Sequence, residues 1–124
     1  MNTPKVLILE DSIERQEQFK KNFQNAELVF TTTVEETIEQ LKSKKWNALF
    51  LDHDLGGKVF VAPGSEPTGT DVARFLHINH QFQPKHIVVH SLNESGRKSI
   101  CSLIRAQEVP FVWTMQIDFS TMRD

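Results

Sequence analysis

The residues best suited to chemistry fall in three short stretches. They are Glu10-Asp11, Asp52-His53-Asp54 within LDHDLGG, and His90-Ser91 followed by Asn93. Two like unit charges about 4 Å apart repel by roughly 4 kcal/mol at an effective dielectric of 20. If Glu10, Asp11, Asp52 and Asp54 meet, a hard dication relieves that repulsion. Magnesium takes one or two carboxylates and keeps positions for water and phosphate oxygens. Protonation of one carboxylate is the competing relief. The Ser91 hydroxyl can hydrogen-bond a phosphoryl oxygen. His90 and His53 are residue types that can act as a general acid or base near neutral pH. Each also has a structural reading: a strand-end histidine often only packs, and His53, between two aspartates, can point into a sheet's packing face.

These stretches converge only if the elements before them bring them together. Val6-Leu7-Ile8-Leu9 is a continuous apolar run, as in a strand buried on both faces. It ends at Glu10-Asp11. A helix follows, capped by Asp11 or Ser12, with Glu14 placed for a capping box to Asp11 and Ile13, Phe19 and Phe23 as its apolar stripe. Leu28-Val29-Phe30 reads as a second strand. Thr33 caps a second helix, with Glu36 at the capping-box position and Val34, Ile38 and Leu41 on one face. Lys42, Lys44 and Lys45 suit the negative end of that helix. Ala48 to Leu51 is the third strand. The stretch from Gly56 to Gly69 is long for a strand-to-helix connection, where about two to six residues are usual, and reads as a loop that can close over a ligand. A third helix spans about Thr70 to Ile78, and a fourth strand, Ile87-Val88-Val89, ends in His90-Ser91. A fourth helix runs from about Ser95 to Ala106. Val109 to Met115 reads as a fifth strand, with Pro110 inside it. Little chain follows for a closing helix, which is expected to be missing or truncated.

Strand and helix alternate, which predicts a three-layer α/β fold on a five-stranded parallel sheet. Ligands of such sheets bind outside the carboxyl ends of the strands. The three polar stretches lie at three such ends. Alternation puts Asp52 and Asp54 on one side if the strand continues, and on different sides if the chain turns at His53.

Composition narrows the classes. At 124 residues, the chain is one domain's worth, 1–124, with a globular balance of 39% apolar and 24% charged residues. A net charge of −2 gives no overall basic field for nucleic acid. Cys101 is the single cysteine, so an internal disulfide and a cysteine-rich zinc site are excluded. No apolar run approaches the roughly 20 residues of a membrane span, and the start is too short in apolar residues for a signal peptide. The expected setting is cytoplasmic. His77 and His80, three apart near a helix end, read as a solvated face. Phosphate-loop, dinucleotide-fingerprint and serine-elbow motifs do not occur.

The acidic pair Glu10-Asp11, the strand-end Asp52, the strand-end hydroxyl Ser91 and Gly69 ahead of the third helix resemble the receiver domains of bacterial response regulators, which share the flavodoxin-like fold. LDHDLGG, then TG before the third helix, then HSLNESG, is similar to the cyclic-phosphate-processing receiver domains. The resemblance spans about Val6 to Met115. It implies magnesium, or another divalent metal, held by Glu10, Asp11, Asp52 and Asp54, and a site completed by His53, His90, Ser91 and Asn93, with Gly96 at the start of the fourth helix. It implies action on phosphate esters, as small molecules or as cyclic phosphates at RNA or nucleotide ends. Receivers also carry a lysine ending strand five, before a proline. FVWTMQ holds none, and Lys58 or Lys98 are the candidate substitutes.

Three functions are compatible with these residues. One is a metal-dependent phosphoesterase, with His90 as acid or base and Ser91 and Asn93 positioning the phosphate. Another is a signalling receiver phosphorylated on Asp52, with a protein partner. The third is a module that binds phosphate, nucleotide or protein without chemistry.

Overall fold

The computed structural model describes residues 3–52, 68–90 and 94–109. Five strands form one parallel sheet: β1 (Lys5–Leu9), β2 (Glu27–Thr31), β3 (Ala48–Leu51), β4 (His86–His90) and β5 (Gln107–Val109). Four helices connect them: α1 (Ile13–Asn22), α2 (Val34–Ser43), α3 (Gly69–Ile78) and α4 (Glu94–Cys101). A short 3₁₀ turn, His80–Phe82, follows α3. The strand order is β2-β1-β3-β4-β5, the doubly wound order whose switch point lies between β1 and β3.

Period-two alternation divides the apolar strand residues between two faces. Leu7, Leu9, Leu49, Leu51, Ile87 and Val89 pack with Leu41 of α2, Leu76 of α3 and Ile100 of α4. Val6, Ile8, Ala48, Phe50 and Val88 pack on the other face with Phe19 of α1 and with Phe23. The sheet is thus buried on both sides, as its continuous apolar strands require. Burying a side chain such as Phe50 or Leu49 contributes about 1.5–3 kcal/mol. Aromatic edges order the α1 face: the Phe19 and Phe50 ring centroids are 5.2 Å apart at 81°.

At α2 the predicted cap forms, the Thr33 hydroxyl accepting from the Glu36 N–H at 3.1 Å, but the Glu36 carboxylate accepts from the Thr32 N–H at 3.4 Å and closes no capping box on Thr33. Elsewhere the local signals shift. Ser12, not Asp11, caps α1, accepting from the Arg15 N–H. That places Arg15 rather than a glutamate at the third helical position, so no capping box forms there. Helix α3 begins at Gly69, with a capping box between Thr68 and Asp71. Helix α4 ends at Cys101 rather than Ala106, because the Leu103 N–H turns to the Ile100 carbonyl at 3.0 Å and tightens the last turn. Ile104 remains buried beyond the helix end. Strand β5 begins at Gln107, two residues before the apolar run that marked it in sequence. Its ladder to β4 sets this start, pairing Gln107 with Val88 and Val109 with His90. Polar residues are tolerated there because β5 is an edge strand. The remainder of the predicted fifth strand and the closing helix lie outside the described residues.

Candidate metal and phosphate site

Register explains why distant residues meet. Ile8 is opposite Phe50, and Phe50 is opposite Val88. Two residues further along each strand stand Glu10, Asp52 and His90, on the same α1 face by alternation. Backbone bonds carry the ladder past the strand ends: Glu10 N–H donates to the Thr31 carbonyl at 3.0 Å, and Asp52 N–H to Leu9 at 3.2 Å. One ligand atom from each of Glu10, Asp52 and His90 lies within 4.8 Å of the others. All three residues are buried, at 0%, 1% and 2% exposure. The cluster sits at the carboxyl ends of β1, β3 and β4, across the topological switch point.

Glu10 is held from several sides. Its Oε1 accepts from His90 Nε2 at 3.1 Å, and its Oε2 accepts from the Ser12 N–H at 3.1 Å. Gln16 Nε2 donates to the Glu10 carbonyl at 2.7 Å. Burial works to raise the Glu10 pKa, but the His90 hydrogen bond and charge, the Ser12 N–H and Arg15 together bring it below the ordinary carboxylate value. Glu10 is therefore ionised at neutral pH and acts only as an acceptor, so His90 Nε2 carries the proton. The imidazole is fixed by packing as well, with its ring edge-on to Phe19 at 5.2 Å and 73°. His90 Nδ1 is buried and has no hydrogen-bond partner among the described residues.

A cation that sequence reading missed completes the cluster. Arg15 Nη1 lies 3.5 Å from Asp52 Oδ2 and 3.7 Å from Glu10 Oε1. Its signal was positional: the first turn of a helix starting just after Glu10-Asp11 faces back over the strand ends. Asp11 is half-buried beside the cluster and is not one of its three converging groups. His53, Asp54, Ser91, Asn93 and the predicted loop's residues 56–67 lie outside the described residues. Gly69 shows how closely α3 approaches the site, since a Cβ there would collide with the Asp52 carbonyl oxygen.

The donor set suits a hard divalent ion. Two carboxylates supply oxygens, and an imidazole already committed to Glu10 orients one of them, as carboxylate ligands are commonly oriented. A second concavity, of about 380 Å³, is lined by Lys42, Lys44, Lys45, Trp46 and Lys85. It lies where β3 and β4 begin, at the opposite edge of the sheet from the carboxylates. His77 Nδ1 lies 2.9 Å from the Leu103 carbonyl oxygen, so one member of the His77/His80 pair has a structural partner. Among the described residues no helix is long and apolar enough to cross a membrane.

Comparison with solved structures gives the same fold. The chemotaxis protein CheY4 of Vibrio cholerae is 17% identical, over 91% of this chain and 92% of that one, with a TM-score of 0.68. The receiver domain of a Pseudomonas aeruginosa sensor histidine kinase, solved with magnesium coordinated in its active site cleft, is 12% identical over 91% and 90%, with a TM-score of 0.71. The response regulator TrrA of Thermotoga maritima, in complex with magnesium and BeF, is 15% identical over 97% and 93%, with a TM-score of 0.68. At these identities the likeness is one of fold. No curated protein matches the chain. The family model for the cyclic-phosphate processing receiver domain matches residues 6–106. With a receiver fold and that match over most of its length, the chain belongs to the cyclic-phosphate processing receiver domain family.

Proposed function

We propose that this receiver domain is a divalent-metal-dependent phosphoesterase that opens cyclic phosphates at nucleotide or RNA ends. The observation that supports it most is the convergence of Glu10, Asp52 and His90 on one buried point at the strand ends. Glu10 and Asp52, with Asp11 beside them, would hold magnesium. When bound, the ion polarises a phosphoryl oxygen and lowers the pKa of a coordinated water. In ring opening, water oxygen bonds to phosphorus, one ester P–O bond breaks, and the proton lost by water ends on the departing alkoxide. His90 is the proton carrier in this reading: Glu10 fixes its tautomer through Nε2, which leaves Nδ1 to exchange the proton. Ser91 and Asn93 of HSLNESG position the phosphate, and His53 is a second acid or base.

A second reading has its own support. Asp52 directly follows the central strand β3, beside the acidic Glu10, the place of the phosphoacceptor in signalling receivers. Here Asp52 accepts a phosphoryl group and a protein partner reads the change. Against it, the residue before Pro110 is Val109, where such receivers carry lysine.

Incubation with magnesium and a nucleoside 2′,3′-cyclic phosphate separates the two. The esterase reading expects a linear monophosphate, lost with chelator and in Asp52→Asn. If the ester stays intact while acetyl phosphate adds one phosphoryl group to Asp52, the signalling reading replaces it. If the ester binds and neither reaction occurs, the domain is a binding module.

A further inference from the structure

The register of β5 leaves the carboxylate site without a cation from that strand. β5 ends at Val109, directly before Pro110, and Val109 is the Cα partner of His90. The place of the receiver lysine is therefore taken by valine. Of the two candidate substitutes, Lys98 is paired with Glu108 at 3.1 Å, and Lys58 lies outside the described residues.

Arg15 supplies a positive charge from α1 instead. Its Nη1 reaches both Glu10 and Asp52, at 3.7 Å and 3.5 Å. Both distances exceed the roughly 2.7–2.9 Å of a docked charge-assisted hydrogen bond. The guanidinium thus neutralises two carboxylates without being locked to either. Its side chain is 35% exposed, whereas theirs are 0% and 2%, so it covers the site from the solvent side. Its backbone is anchored, because the Arg15 N–H donates to the Ser12 hydroxyl at 3.3 Å. An arginine in the first turn of α1 is also opposed by the helix dipole, which favours anions there. Attraction to the carboxylates offsets that cost.

We propose that Arg15 is the exchangeable cation of this site: it neutralises Glu10 and Asp52 when no metal is bound, and turns to the substrate phosphate when a divalent ion takes its place. This rests on the metal-dependent reading above. A dication competes well for two buried carboxylates because it replaces one charge with two. The displaced guanidinium keeps its planar fork of donors, whose geometry matches two phosphate oxygens. Arg15 thereby does from α1 what a β5 lysine does in other receivers.

The test is calorimetry on the wild type, Arg15→Gln and Arg15→Lys, titrating magnesium alone and then inorganic phosphate at saturating magnesium. Arg15→Gln should bind magnesium roughly tenfold more tightly, because no tethered charge competes. It should bind phosphate at least about fivefold more weakly, with Arg15→Lys intermediate because it keeps the charge and loses the fork. Unchanged or weaker magnesium binding in Arg15→Gln overturns the proposal, as does unchanged phosphate binding. If the wild type itself binds no magnesium, the metal-dependent reading fails first, and this outcome is distinct. Should Arg15→Gln not fold, the wild-type Arg15 side-chain Nε–H resonance decides. It should shift on adding magnesium and again on adding phosphate, and a resonance that moves with neither overturns the exchange.

Discussion

His90 and Glu10 are 80 positions apart in the chain, and their side chains meet at 3.1 Å with almost no solvent exposure. Removing one partner of a buried pair leaves the other desolvated and poorly compensated, which costs about 3–5 kcal/mol in general. Ser12 and Arg15 still serve Glu10 when the imidazole is gone. We therefore expect His90→Leu to lose about 2–4 kcal/mol in urea unfolding with chelator present. Glu10→Gln, which keeps an acceptor for Nε2, should lose less. A His90→Leu protein within about 0.5 kcal/mol of wild type would show that the contact contributes little.

Metal should stabilise the fold by mass action. An ion that binds only the native state adds about 2.7 kcal/mol at a hundred times its dissociation constant. Magnesium should therefore raise the urea midpoint of the wild type and leave its denaturant slope unchanged. Asp52→Asn removes one of the carboxylate ligands and should abolish most of that response. Equal responses in the two proteins would place the ion elsewhere.

The sheet and the convergence of the site were legible in the sequence for one reason: a parallel strand buried on both faces is written as an unbroken apolar run. Val6 to Leu9 and Ala48 to Leu51 are such runs, and the polar residues directly after them had to fall at the same edge. What the sequence left open was pairing. Nothing local states that Ile8, Phe50 and Val88 share a register, and that register selects Glu10, Asp52 and His90 as the trio. His90 was read as an acid or base, while its hold on Glu10 depends on a neighbour two strands away. Arg15 went unnoticed because an arginine on a helix usually faces water. The start of β5 was read two residues late because its first ladder residues, Gln107 and Glu108, are polar and the apolar residues come after them.

Gly69 sets the start of α3 directly against the backbone that follows β3. A methyl group there would meet the Asp52 carbonyl oxygen, with Ile100 Cδ1 at 3.2 Å as well. Backbone cannot yield as a flexible side chain does, so α3 must shift. Overpacking of this kind costs about 1–3 kcal/mol. Gly69→Ala should show that loss in urea unfolding, and a shift of α3 should also weaken magnesium binding by displacing Asp52. A variant as stable as wild type, with unchanged magnesium affinity, would mean that the helix start moves freely.

Cys101 gives a pH signature away from the carboxylates. Its thiol pKa is raised above the ordinary 9.0, first by burial and then by the negative charge of Glu108, with Lys98 and Arg97 opposing. The neutral thiol is the favoured form in the fold. Its contribution to stability is whole below the unfolded pKa and is lost as pH rises through the folded one. Only the thiolate is alkylated, so the rate of iodoacetamide modification of the native protein should climb to half its maximum at a higher pH than in the urea-unfolded chain. Glu108→Gln removes a charge that disfavours the thiolate, and it leaves the positive charges of Lys98 and Arg97, which favour the thiolate, unopposed by Glu108. Both changes move the midpoint downward, so Glu108→Gln should alkylate faster than wild type at every pH below its midpoint. A native midpoint at or below that of the unfolded chain would show that burial does not govern this thiol.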